Sequence, residues 1–230
     1  MARCEIAGLQ VDIEAGGRTL EQMQPYLTEE KGPADITIRC DAQLVLDHNP
    51  GAGNLSNAEY IGTGSIFAKR LLRFDGFQLH SSAVMLDGRA YLFSAPSGTG
   101  KSTHTEKWCR LFGAQLLNDD KPALRLQDGK WMAYGTPWSG KYDLSIPTGV
   151  PLGGIAFLYR AEENKITRLS PQEAVPMLIS QSLRYLTQEQ MILQLALMDK
   201  LLQQIPVWKL ECRNEDAAAY VSYESMRCAE

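Results

Sequence analysis

Three stretches of this chain carry side chains able to handle a phosphate: SAPSGTGKST at residues 94–103, LLNDD at 116–120, and the histidine inside FQLHSSAVML at 77–86. The octet Ala95 to Ser102 departs from the strict phosphate-loop pattern G-x-x-x-x-G-K-[ST] at its first position, where alanine replaces glycine. Gly98 and Gly100 let the backbone turn and approach an anion. Lys101 can reach the outer phosphates, and Ser102, at a helix start, can ligate Mg²⁺. Ser97, Thr99 and Thr103 complete the expected cradle of backbone N–H groups. This chemistry needs a strand before the turn and a helix after it, so that unsatisfied N–H groups point at the anion. The run AYLF before the turn and THTEKWCRLF after it supply that context.

Asp119 and Asp120 end an apolar strand. Phosphoryl transfer to an alcohol needs two acidic functions, one to orient or deprotonate the hydroxyl and one to hold the metal. Neighbouring strand residues point to opposite faces, so the pair can divide these jobs only if the strand stops there. The bland alternative is a solvated Asp-Asp turn capped by Lys121. His80 sits in a strand expected to pair with the one entering the phosphate loop. It reads as a hydrogen-bonded core residue or as a partner of the phosphate or a carboxylate. In GTPWSGK, residues 135–141, glycines permit a tight mobile loop and Trp138 offers a flat apolar surface, or anchors an ordinary surface loop. Thr136 and Lys141 are expected to face the substrate. His104 is expected at the surface, and the cysteines read as incidental.

The elements that must position these groups follow from periodicity and turn residues. DITIRCDAQLVLD predicts two short strands, 35–40 and 43–47, and HNPGAGNLSN a loop. A short helix is expected over 64–72. Asp87-Gly88 and Asp128-Gly129 predict hairpins joining FQLHSSAVML to RAYLFSA and ALRLQ to KWMAY. Residues 135–154 are too rich in Gly and Pro for a regular element. IAFLYR and ITRLS predict paired strands. Two helices are expected over 171–186 and 188–204, with Met191, Leu195, Met198 and Leu202 forming a core stripe. PVWKLEC predicts a further strand, and 214–225 a closing helix capped by Asn214.

The 230 residues suit one domain, 44% apolar and 22% charged, with a formal charge of −4. That balance argues against nucleic-acid binding. No apolar run approaches the roughly 20 residues of a membrane span, and the first residues lack a signal-peptide segment. Five cysteines without CxxC spacing suggest neither disulfides nor structural zinc. A cytoplasmic home is the expectation.

Taken together, HSSAVMLDGRAYLFSAPSGTGKST, LLNDDK and YGTPWSGK resemble the catalytic domain of HPr kinase/phosphorylase. They are more similar still to its short relatives, the HPr-kinase-related proteins often found beside peptide-modification genes. The resemblance covers roughly residues 60–170. It implies an α/β fold of the phosphoenolpyruvate-carboxykinase-like P-loop type, with mixed β-sheets and C-terminal helices. The whole chain would be one catalytic domain, with variable N-terminal strands to about residue 60 and a helical part from about 171. It also implies an ATP- and Mg²⁺-dependent kinase acting on a protein or peptide serine, and self-association into a homo-oligomer. Carried onto this chain, Asp119 matches the catalytic aspartate, Asp120 its metal-associated partner, and His80 the histidine near the transferred phosphate. Lys101 and Ser102 match the phosphate-binding lysine and the magnesium-ligating hydroxyl.

Some features depart from that family. The stretch before His80 is too short for HPr kinase's separate N-terminal domain, Thr103 replaces an acidic residue, and residues 135–141 replace a glycine-rich signature. HPr is therefore not the expected substrate, and phosphorylase activity is not implied. A kinase of a small alcohol such as a sugar or free serine, and a non-catalytic nucleotide-binding regulator, are the alternatives. A carboxykinase would need a longer chain and a transition-metal site.

Overall fold

Four consecutive apolar residues, Ala90 to Phe93, can escape water only in a strand covered on both faces. The computed structural model describes residues 1–140, 143–183 and 186–227 and puts this run at its centre. The chain opens with β1 (Ala2–Ile6), β2 (Leu9–Ile13), α1 (Gly17–Met23), β3 (Ile36–Ile38), α2 (Ala42–His48) and α3 (Leu55–Leu71). Next come β4 (Gly76–Gln78), β5 (Ser81–Leu86), β6 (Arg89–Ser94), α4 (Lys101–Phe112), β7 (Gln115–Asn118), β8 (Ala123–Gln127) and β9 (Lys130–Tyr134). The rest is β10 (Gly149–Arg160), β11 (Lys165–Arg168), α5 (Pro171–Ser180), α6 (Gln188–Leu202), β12 (Val207–Cys212) and α7 (Asp216–Arg227).

Among the described residues the strands form two sheets in a mixed α/β architecture. The small sheet has the order β1-β2-β3, and the large one runs β4-β8-β9-β10-β6-β5-β7, with β12 joining β10 and β11 beside it. The long strand β10 belongs to both halves of the large sheet. Gly149 to Pro151 pair antiparallel with β9, whereas Leu152 onward pairs parallel with β6 and Ile155 onward with β12. The switch falls between Pro151 and Leu152, and the register with β6 slips at Gly153 and Gly154, where an added Cβ would lie 2.9 Å from the Tyr91 ring and 2.4 Å from that of Trp208. Both glycines are required by close approach of aromatic neighbours.

Side chains of β6 alternate between two cores. Tyr91 and Phe93 pack with Trp108 of α4 and Met226 of α7, while Ala90 and Leu92 meet Leu178 of α5 and Met198 and Leu201 of α6. A third cluster joins the small sheet to Phe67 and Leu71 of α3 and to Trp138.

Both hairpins form as expected, with positive φ at Asp87 (50°) and Gly88 (75°) and at Asp128 (49°) and Gly129 (76°). Other local expectations give way to tertiary context. The expected strand 43–47 is helix α2, because the Asp41 carboxylate accepts the Leu44 N–H and caps a helical turn. Helix α3 starts at Leu55, earlier than expected, because Asn54 caps it through the Asn57 N–H. The nominally irregular stretch 135–154 already contains the start of β10. Strands β10 and β11 do not pair with each other, since β12 lies between them. Helix α5 stops at Ser180 and α6 at Leu202, both short of expectation. The apolar stripe of α6 is rotated: Gln194, Leu197, Met198 and Leu201 are buried, whereas Leu195 is 39% exposed. Asn214 does not cap α7, which begins at Asp216; its side chain instead accepts from Lys107.

Candidate active site

The turn from Ala95 to Gly100 links β6 directly to α4, which is the strand–turn–helix context the motif requires. Gly98 and Gly100 adopt φ of +79° and +120°, a region that disfavours any side chain. Ala95, the residue that breaks the consensus, is buried and packs in the core with Trp108. Lys101 is only 8% exposed, and burial lowers its affinity for a proton. Its Nζ donates to the Ala95 carbonyl at 2.9 Å and lies 3.5 Å from that of Pro96, curling back over the turn. The guanidinium of Arg160, from β10, donates to the carbonyls of Gly98 and Thr99 and braces the outer side of the turn.

Helix α4 buries Lys101, His104, Thr105 and Trp108, a spacing that leaves Thr103 exposed. His104 is an interior residue, contrary to the sequence expectation. Its ring packs 4.6 Å from Phe93 and shares the Ser222 hydroxyl, at 3.0 Å, with the Trp108 indole N–H. Burial, with help from Lys107, pushes its pKa down to about 3.

The adjacent aspartates separate at the end of β7. The Asp119 carboxylate is 8% exposed and accepts from Ser82 Oγ at 2.7 Å and from Ser102 Oγ at 3.1 Å. Ser82 in turn meets the Thr105 hydroxyl at 2.9 Å, tying β5, α4 and β7 together. Asp120 turns the other way. One of its oxygens lies 3.2 Å from His80 Nε2 and the other 3.0 Å from Lys121 Nζ. Burial alone would raise the Asp120 pKa, but the His80 and Lys121 contacts outweigh it and hold it at about 2. The turn is shaped by Asn118, whose side-chain oxygen accepts the backbone N–H groups of Asp120 and Lys121 at 2.9 and 2.7 Å.

His80 does not sit within one continuous strand. It lies in the break between β4, which pairs with β8, and β5, which pairs with β6. Its backbone N–H donates to the Gln181 carbonyl at 2.8 Å, and its Nδ1 lies 3.1 Å from Gln181 Oε1. The ring is thus held between the end of α5 and Asp120. Ser182 beside it accepts from Gln194 of α6 at 2.8 Å.

His80, Asp120, Lys121 and Ser97 line a cavity of about 640 Å³, walled on its far side by Tyr60 and Ile61 of α3. Gly98, Gly100 and Thr103 open instead on a second cavity, of about 580 Å³, with Lys107 and Arg160. Ser102 and Asp119 border a third, with Leu144. Among the described residues no three His, Cys, Asp or Glu side chains gather into a metal cage. Ser102 Oγ beside Asp119 is nevertheless a hard-oxygen pair of the kind that holds Mg²⁺ jointly with substrate phosphates.

The family model described as "SynChlorMet cassette protein ScmC" matches residues 61–213, more than half of the chain. The chain belongs to the ScmC family. No curated protein matches it significantly. Among solved structures, the HPr(Ser) kinase/phosphatase from Coxiella burnetii is similar at 11% identity and a TM-score of 0.39, covering 64% of this chain and 95% of that one. The family span of this ScmC-family chain contains every residue from His80 to Gln181 discussed above.

Of the sequence-derived candidates, the fold gathers His80, Ser97, Lys101, Ser102, Asp119 and Asp120 around the turn. It does not bring Thr136 there. Thr136 is fully buried, and its hydroxyl donates to the Lys121 carbonyl at 2.7 Å, so it supports the Asp120 turn from behind and faces no substrate. Lys141 lies outside the described residues. Trp138 is an anchor: it stacks on Phe67 at 4.9 Å and donates to the Thr63 hydroxyl at 3.2 Å. Sequence reasoning missed Ser82, Gln181 and Arg160, ordinary polar residues without a local pattern. Ser82, two residues from His80, was the one a strand-periodicity argument could have found. Among the described residues no helix is long and apolar enough to cross a membrane.

Proposed function

We propose that this protein is an ATP- and Mg²⁺-dependent kinase that transfers the γ-phosphoryl group to a hydroxyl, that of a serine in a peptide or protein. The observation that carries this reading is the division of the two carboxylates: Asp119 binds the phosphate-loop serine, and Asp120 pairs with His80 in a separate cavity. Nucleotide retention alone has no need of the second arrangement. The resemblance to HPr-kinase-related sequences agrees with it.

Our reading exchanges the roles that the resemblance assigned to the aspartates, on the strength of their separate partners. In our reading Ser102 and Asp119 would hold Mg²⁺, which would neutralise charge on the phosphate oxygens. Lys101 leaves the loop carbonyls to reach the outer phosphates. Asp120 faces the acceptor and accepts its hydroxyl hydrogen bond. In the transfer the acceptor oxygen forms a bond to the γ-phosphorus, and the bond to the β,γ-bridging oxygen breaks. ADP departs with that electron pair, and the hydroxyl proton passes to Asp120. A carboxylate held at about 2 is a weak base, so it orients the hydroxyl first and takes the proton late, as a loose phosphoryl transition state permits. His80, whose two ring nitrogens meet Asp120 and Gln181, holds that carboxylate in place.

A cavity of about 640 Å³ is also within the usual range for small-molecule sites, which favours a small alcohol as the second reading. The test incubates the protein with γ-labelled Mg·ATP and separate pools of serine peptides, sugars and free serine. Labelled peptide supports the first reading, and labelled sugar or serine the second. Saturable Mg·ATP binding with no labelled product in any pool sinks both.

A further inference from the structure

The site has a side built by residues before position 61, outside the span that matches the family. Arg18, in the first turn of α1, reaches over 120 positions along the chain to Gly140 and Asp143. Its Nη2 donates to the Gly140 carbonyl at 2.5 Å and to Asp143 Oδ1 at 2.7 Å, while Nη1 donates to Asn57 Oδ1 at 3.3 Å. The guanidinium also lies 4.2 Å from the centre of the Tyr60 ring. The Tyr60 hydroxyl in turn accepts the Ser139 N–H at 2.7 Å and donates to the Pro137 carbonyl at 3.2 Å. Further along, Tyr26 donates to the Ser145 hydroxyl at 2.9 Å. Three residues of the N-terminal layer therefore grip one segment of the catalytic region.

That segment rests on Asp120. Gly140, at φ +78°, approaches so closely that an added Cβ would lie 2.8 Å from the Asp120 Cβ. Trp138 and Tyr60 both line the cavity that holds His80 and Asp120. A planar guanidinium that satisfies a carbonyl, a carboxylate and an aromatic face at once fixes position better than a lysine could.

We propose that Arg18 is a positioning residue: with Tyr60 it clamps residues 137–140 onto Asp120, aligning the carboxylate with the acceptor and keeping water from taking the acceptor's place. This rests on the kinase reading above. It gives the N-terminal sheet and α1 a part in the reaction, in addition to packing.

The experiment compares wild type, Arg18→Ala and Arg18→Lys as full chains, since Arg18 is partly exposed and its loss should leave folding intact. Hydrogen exchange followed by mass spectrometry reads the loop, and calorimetry reads Mg·ADP affinity. The yield of phosphopeptide per ADP formed is measured with a pool of seven-residue peptides, each carrying one serine. Arg18→Ala should exchange at least tenfold faster over 138–140 and lose at least fivefold in phosphopeptide per ADP. Mg·ADP affinity and the thermal midpoint should not change, and Arg18→Lys should recover part of both losses. Unchanged loop exchange overturns the clamp. Faster exchange with an unchanged phosphopeptide yield overturns its positioning role while leaving the kinase reading intact. A wild type that binds Mg·ATP but phosphorylates neither the peptides nor added glycerol defeats the kinase reading, and the exchange result then decides the clamp alone.

Discussion

The phosphate-loop residues occupy a single turn between β6 and α4, whereas the groups around Asp120 come from residues 18, 60, 80, 121, 140 and 181. The first arrangement is local. Its glycines set the backbone, and the helix that follows directs its N–H groups and Ser102 without help from distant sequence. The second is assembled by the tertiary fold, through a break between β4 and β5, the end of α5 and a loop held by the N-terminal layer. A local motif tolerates change in its surroundings. A site assembled from six places is sensitive to each of them.

The largest effect should come from separating the two carboxylates. Asp120→Asn should lower transfer by about 10³-fold, within the range for loss of a general base, with Mg·ADP affinity within about twofold of wild type. Asp119→Asn should do the reverse and weaken Mg²⁺-dependent nucleotide binding. Calorimetry with and without Mg²⁺ beside single-turnover rates distinguishes them, and the opposite outcome would restore the roles implied by the resemblance. Next in size, Lys101→Ala should cost nucleotide affinity about 100-fold, or about 2.7 kcal/mol. At the same end, Gly100→Ala should be far more damaging than Ala95→Gly, because only Gly100 holds a φ of +120°. Equal affinities for that pair would show that the turn is not what binds phosphate.

Smaller effects concern the frame that joins the two ends. Gly154→Ala should destabilise the chain by about 1–3 kcal/mol in urea unfolding, through overpacking against Trp208. His104 gives a pH signature. Its folded pKa of about 3 lies below the ordinary value of about 6.5, so the unfolded chain takes up the proton first. Stability should be complete above about pH 6.5 and fall by up to about 1.4 kcal/mol per unit as pH drops below it. His104→Gln should flatten that slope in thermal melts between pH 7 and 5. The smallest effect is expected for Thr136→Val, about 1 kcal/mol of stability from the lost bond to Lys121, with nucleotide affinity unchanged. A change in acceptor KM without a change in stability would return Thr136 to the substrate side.

The amino-acid sequence alone determined the glycine turn between β6 and α4, both Asp-Gly hairpins and the helix ending at Gly113, because each depends on residues a few positions apart. Glycine at positive φ, apolar period and a strand–turn–helix order are local properties and can be read locally. It also marked His80, Asp119 and Asp120 by type, yet their division of partners depends on where β7 ends and on how Asn118 folds the turn. Expectations failed where distant packing overruled local preference: the start of β10 inside a Gly- and Pro-rich stretch, the rotated stripe of α6, and His104, drawn inside by Phe93 and Ser222. Thr136, Trp138, Gln181 and Arg18 carry no pattern that spacing reveals. Their parts were decided only by the tertiary structure, since a hydrogen bond between residues 18 and 140 leaves no trace in the residues next to either one.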